Sequence, residues 1–350
     1  MCNKLPFNMM RTSLILCLAT CFIFQSCKTG NDAITENIAH TDSLFKVINA
    51  PELKAVNQKI IDNANDANLY NERAKIYLKY KQLEEAINDA KRSIRIDSTN
   101  ANYYLTEADV FFVANETKNC KDVLEKVVVK FPTNTDGLLK LGELFYFVKQ
   151  YEYAFAKINQ ALKVNENLAK AYYLKGNIYK EIGDTAKAIS SLETAIEQDT
   201  KNYGAFLDLG IIYSARRNGI ALEYFDNAIN INPSSSEALY AKAKLLQDLK
   251  KMDEAIVIYN RILSNDSLHA FSLYNLGAIE LEDKSNPTKA LNYFSKAINA
   301  NPKYAEAYFA RGVCYQELKD KNNAMADYSM CLQLKPNYIP AVEAVNSISK

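Results

Sequence analysis

The sequence returns to the same pattern about every 34 residues, and that period constrains the fold more than any other feature. An aromatic or leucine is followed four places on by Gly or Ala, then by Tyr or Phe, and then by a spaced run of Ala and bulky apolar residues. The small residue marks the beat at Ala74, Ala108, Gly142, Gly176, Gly210, Ala243, Gly277 and Gly312, with gaps of 34, 34, 34, 34, 33, 34 and 35. A fixed period in this range predicts a helical solenoid in which each repeat is one supersecondary unit.

Each period sorts onto two amphipathic helices. In 169–202, Tyr172, Gly176 and Tyr179 share one helical face; after Gly183-Asp184, Ala188, Leu192 and Ala195 share another. Spacings of four and three are those of an apolar helical stripe. Glycine in mid-helix costs about 1 kcal/mol relative to alanine, so Gly176 implies a close crossing, expected against Ala188 with Tyr172 and Tyr179 wedged on either side. One residue is lost near Arg217-Asn218-Gly219 and one gained near Asp283 to Pro287, both in turns between paired helices.

These residues match the tetratricopeptide repeat (TPR) pattern of aromatic, Leu-Gly, Tyr, Ala, Phe, Ala, Pro. It reads Phe206, Leu209-Gly210, Tyr213, Ala221, Phe225, Ala228, Pro233 in one unit and Tyr308, Gly312, Tyr315, Ala324, Tyr328, Cys331, Pro336 in another. In the unit of Leu273, Leu276-Gly277, Ala290 and Phe294, Glu280 replaces the second aromatic. The chain therefore resembles the TPR family over eight units, 67–337, preceded by capping helices in 36–66 and closed by a capping helix in 338–350. The resemblance implies an all-α, right-handed α-solenoid of antiparallel hairpins, a TPR superhelix, with first helices lining a concave groove.

Partner contacts in that family come from repeat positions 2, 5, 9, 12 and 13. Carried over, they nominate Phe112, Tyr146, Tyr173, Asn177, Tyr240, Lys244, Tyr274 and Phe309 as groove residues. Tyrosine there offers apolar area with a hydrogen-bonding tip. Chaperone-binding members grip a terminal carboxylate with Lys, Asn and Arg. Here Leu139, Glu143, Leu174, Gly204 and Asp208 hold those places, so that clamp is excluded.

The N-terminal segment has a different origin. Behind Arg11 runs an apolar stretch, Leu14 to Phe24, of signal-peptide length and too short to span a bilayer. It ends at Ser26-Cys27, which resembles a bacterial lipobox of the looser kind seen in Bacteroidetes, with Phe24 and Gln25 departing from the usual pattern. On this reading 1–26 is a lipoprotein signal peptide, Cys27 carries the lipid, and 27–35 is a polar tether; starts at Met9 and Met10 stay open. The absence of an acidic residue directly after Cys27 favours the outer membrane, facing the periplasm.

Formal charge is +1, and −1 once Lys4 and Arg11 leave with the signal segment, which gives no electrostatic footprint for nucleic acid. No Gly-rich phosphate loop, HExxH or GxSxG motif occurs, and His40 and His269 lie far apart. No catalytic residue, metal site or cofactor is assigned. Cys120 and Cys331 stand at small-residue positions of the repeat and are expected to be buried; a Cys314–Cys331 bond within one hairpin is left open. His269 reads as a surface junction residue, and pairs such as Glu72/Lys75 and Asp89/Arg92 as solvated faces. The expected function is a lipid-anchored envelope scaffold for a protein or peptide partner. The alternatives are a peptide or glycan carrier or sensor, and a regulatory subunit of an envelope enzyme.

Overall fold

The computed structural model describes residues 50–348. The expected signal peptide, Cys27, the tether and residues 36–49 of the expected N-terminal cap lie outside the described residues. Among the described residues the chain is all-α, without strands, and divides into two compact units, with the chain boundary between Thr99 and Asn100.

The first unit contains α1 (Pro51–Asp62), α2 (Ala67–Lys79) and α3 (Leu83–Ile96). Leu53, Val56 and Ile60 of α1 close over Tyr70 of α2. Arg73 of α2 then ties all three helices. Its guanidinium donates to both carboxylate oxygens of Asp89 on α3, at 2.6 and 2.8 Å, and to Asn57 Oδ1 on α1 at 2.8 Å. Asp89 is buried, and Arg92 lies 4.4 Å from the Tyr70 ring centroid. The solvated-face reading is thus corrected for Asp89, while Arg92 stays exposed. Asp89 is held by the arginine 16 residues away on the adjoining helix and not by the one a turn away.

The second unit is built from seven hairpins and a final helix. The hairpins are α4/α5 (Ala101–Val113, Thr117–Lys130), α6/α7 (Thr135–Phe147, Tyr151–Val164), α8/α9 (Ala169–Glu181, Thr185–Gln198), α10/α11 (Tyr203–Ser214, Ala221–Ile231) and α12/α13 (Ser236–Asp248, Met252–Asn265), then α14/α15 (Ala270–Ala278, Pro287–Ala300) and α16/α17 (Ala305–Glu317, Lys321–Leu334). Helix α18 (Ile339–Ile348) packs on α17. Junction residues start many first helices: Asn134, Asn202, Ser235 and His269 each accept a hydrogen bond from a first-turn backbone N–H.

Every hairpin reverses in the same way. One residue per turn adopts the left-handed conformation: Lys81, Asn115, Lys149, Gly183, Arg217, Lys250, Ser285 and Lys319. In the regular turns the next N–H reaches back to the carbonyl of the motif's second aromatic position, as Gln150 does to Phe145 at 2.8 Å and Asp320 to Tyr315 at 2.8 Å. This is a Schellman-type cap, and it assigns that recurrent position a second role beyond packing.

The two length changes are absorbed differently. In α10/α11 the second helix begins late and has 11 residues where the others have 14. In α14/α15 the extra residue does not sit in the turn alone. It is taken into a π-turn, Ile279–Asp283, with Lys284 N–H bonded to Ile279 O and Asn286 N–H to Glu280 O. Glu280 is buried and accepts from Lys289 at 2.8 Å and Lys284 at 3.4 Å. Burial opposes its charge, yet the two lysines hold its carboxyl below the ordinary range. The glutamate in an aromatic's place therefore pins the inserted turn to α15.

At the beat, the glycine's tightest neighbour is the bulky residue one turn beyond the small one. A methyl placed on Gly176 would lie 2.7 Å from Leu192 Cγ and Cδ2, and 3.5 Å from Ala188 O. Gly210, Gly277 and Gly312 stand in the same way against Phe225, Phe294 and Tyr328. Cys120, Cys314 and Cys331 are buried free thiols, and burial raises Cys120 to about 11 and Cys314 to about 12.

Candidate partner-binding face

In the second unit the first helices of successive hairpins are joined by ion pairs. Lys140 of α6 pairs with Asp109 of α4, Lys170 of α8 with Glu143 of α6 at 2.7 Å, and Lys180 of α8 with Asp208 of α10. Glu143 and Asp208, the two acids at the clamp positions, are thus the acidic partners of lysines from neighbouring first helices.

Near the start of this face, the charges frame an apolar patch. Phe112 and Phe147 meet edge-on at 5.5 Å, and they are 42% and 58% exposed. Val113 beside them is half exposed, and Tyr146 leans on Tyr151. A small cavity of about 170 Å³ opens beside Phe112, with Cys120 at its base and Asp109, Lys140, Glu143 and Lys170 around it.

The middle is polar. Tyr173 lies over Gly204, where a methyl would come 2.6 Å from the phenol oxygen. The Tyr173 phenol neighbours Asn177 and Asp208, and Lys180 donates to both of those side chains. Burial raises the Tyr173 phenol, so it stays protonated and neutral. Tyr173 and Asn177 therefore help join α8 to α10. Lys244 sits half-buried on α12, 3.8 Å from Asp248.

Towards the C-terminal end the rings form a continuous series. Tyr240 contacts Tyr259, His269 and Phe271; Phe271 contacts Tyr304; Tyr304 contacts Tyr274, at centroid distances of 5.1 to 6.0 Å. Phe309 packs between Tyr328 and Tyr338. Asn275 donates to Tyr240 OH at 3.0 Å and to Phe271 O at 2.8 Å. Burial lifts the phenols of Tyr240 and, to about 12, of Tyr274, leaving neutral donors at working pH. Phe271, at 49% exposure, is the most open ring of the series named here.

The sequence-derived residues thus fall into three settings. Phe112 is open, Tyr146, Tyr274 and Phe309 are half-buried in ring contacts, and Tyr173, Asn177 and Tyr240 lie at joints between repeats, where Tyr173 covers Gly204, Asn177 accepts from Lys180 and Tyr240 accepts from Asn275. Phe271, Tyr304 and Tyr338 were missed. Phe271 occupies position 2 of its repeat, one of the positions already in use, and could have been nominated; the other two lie at repeat junctions. His269 is corrected from a surface residue to a helix cap: its Nδ1 accepts from Ser272 N–H at 3.2 Å, and burial depresses its pKa.

Models of the tetratricopeptide repeat match residues 67–100, 169–202, 213–270 and 305–338. This is a TPR-repeat protein. The TPR chain is 34% identical over 158 residues to a UDP-N-acetylglucosamine–peptide N-acetylglucosaminyltransferase of Giardia intestinalis, covering 42% of this chain and 10% of that one. It is 25% identical over 231 residues to the BBSome complex member BBS4 of Bos taurus, covering 55% and 44%. The chain therefore spans less than half the length of these two relatives. Among solved structures, the C-terminal part of a TPR repeat-containing protein from Cytophaga hutchinsonii aligns with a TM-score of 0.57 at 18% identity, over 67% of this chain and 97% of that one. That likeness is one of fold.

TPR repeats are typically non-catalytic scaffolds. Among the described residues no group of three His, Cys, Asp or Glu is placed to hold a metal ion, and no helix is long and apolar enough to cross a membrane.

Proposed function

We propose that this TPR protein is a membrane-anchored interaction scaffold of the cell envelope that holds an extended segment of a partner protein along its first-helix face. One observation carries the reading. Phe112, Phe147 and Phe271 keep 42 to 58% of their surface in water, and the charged groups around Phe112 are paired with one another. Clustered exposed rings rimmed by polar groups are the composition of an interaction surface. The bovine relative is by name a member of a complex, which agrees with an assembling role. The anchor follows from Ser26-Cys27 behind the apolar run, with acyl chains on Cys27 supplying stable attachment at the outer membrane, facing the periplasm.

The test is affinity capture of the full chain from gently solubilised native envelopes. The wild type should retain a stoichiometric protein. A Phe112→Ser/Phe147→Ser/Phe271→Ser variant should lose it with unchanged helical circular dichroism, because about half of each side chain's surface is already in water. Retention by the variant would remove the face from the account. Mass measurement of the mature N-terminus should find acylated Cys27, and a free amine elsewhere would remove the anchor.

A further inference from the structure

The π-turn opens onto a recess unlike the small cavity near Phe112. It holds about 610 Å³, within the range of formed ligand pockets, and lies between α14 with its π-turn, α16, and the junction before α18. Its walls are the rings of Tyr274, Phe294, Phe309 and Tyr338, and Ala278 and Ala310 leave it open. Glu282 and Glu317 stand at its edge, both exposed. They occupy the same position of consecutive repeats, five residues after Gly277 and Gly312.

Four of the nearby cations are already engaged. Lys284 and Lys289 bond Glu280, Arg311 bonds Asp327, and Lys335 bonds Glu306 at 2.8 Å. Glu282 and Glu317 form no ion pair among the described residues. The recess thus combines aromatic faces, which attract a cation through their ring quadrupoles, with two carboxylates free to receive one. A long side chain with an apolar stem and a positive tip satisfies both features. The ring series from Tyr274 through Tyr304 to Phe271 leads out of the recess along the first-helix face, a track suited to an extended chain.

We propose that this recess receives a lysine or arginine side chain from the partner's extended segment. The inference rests on the scaffold reading above and adds the chemistry of what is held. The inserted residue supports it: the π-turn carries Glu282 at its fourth position, and such single-turn insertions are frequent at functional sites.

The experiment pans a phage-displayed random nonapeptide library on the full chain and measures winning peptides by fluorescence anisotropy. Winners should carry a Lys or Arg at a fixed place beside apolar residues. Replacing that residue by norleucine should weaken binding about tenfold or more. Glu282→Gln/Glu317→Gln should remove the preference between the basic peptide and its norleucine form. Both side chains are exposed and outside ion pairs, so the variant should melt as the wild type does. No enrichment of basic residues, or a basic preference that survives the double substitution, would overturn the proposal. So would equal binding by free butylammonium, which carries the charge without a peptide. The scaffold reading fails separately, through envelope capture and the Phe112/Phe147/Phe271 variant, so either can fall alone.

Discussion

Removing Arg311 should loosen the last hairpin more than any exposed change nearby, and the cost follows from burial. The guanidinium donates to Asp327 Oδ2 at 2.7 Å and Oδ1 at 2.8 Å, and to Ser295 Oγ at 3.3 Å, tying α16 to both α17 and α15. The Asp327 side chain is 8% exposed and that of Arg311 20%. Arg311→Met therefore leaves a buried carboxylate without its cation, a loss of about 3–5 kcal/mol. Asp327→Asn leaves a guanidinium that still has Ser295, the Tyr308 and Tyr315 rings and some water, so about 1–2 kcal/mol is expected. Arg311→Met/Asp327→Leu should return to within about 1 kcal/mol of wild type, since two apolar groups can replace a buried pair.

Solenoid repeats contact only their neighbours, so the loss should stay local. Native-state hydrogen exchange is the assay. Amides of α17 that exchange through opening of the last hairpin should lose about a hundredfold or more of protection in Arg311→Met, at 1.4 kcal/mol per tenfold. Protection in α4 to α8 should not move. An unchanged α17, or a double variant as loose as the single, would show that water screens the pair and would refute the argument.

Two further outcomes can be checked by unfolding experiments. Gly176→Ala gains about 1 kcal/mol of helix propensity but puts a methyl 2.7 Å from Leu192; overpacking costs about 1–3 kcal/mol. Urea titration should therefore show no gain or a net loss, and a clear gain would mean the two helices part easily at that crossing. His269 is held neutral by burial, with its pKa below the ordinary 6.5. Its contribution is complete above the unfolded value and is lost as pH falls through the lowered folded value. The Tm difference between wild type and His269→Asn, a neutral cap, should shift against the wild type between pH 7 and pH 5, and a pH-independent difference would exclude the mechanism.

The repeat was legible in the sequence because each hairpin solves the same packing problem with the same side chains. Gly210 against Phe225 and Gly312 against Tyr328 are one contact written twice. What stayed hidden does not recur in most units. Arg73 and Arg311 each reach 16 residues back and 16 forward, to Asn57 and Asp89 in one case and to Ser295 and Asp327 in the other. No single helical face displays such a pair, so Asp89 read as solvent-facing. Glu280 was visible as a departure, but a departure from a pattern does not say which backbone change it stabilises. The ring series was half legible: position 5 supplied Tyr240 and Tyr274, while Tyr304 and Tyr338 stand at junctions whose geometry depends on two repeats at once.

The left-handed residue in every turn bears on how the chain reaches this state. Each reversal is set by its own local cap, so a hairpin's defining contacts join residues no more than about one repeat apart. Low contact order of this kind goes with fast folding and with nucleation at any point along the array. An interior hairpin can therefore form before its distant neighbours exist, and the order of assembly is set by which turn closes first.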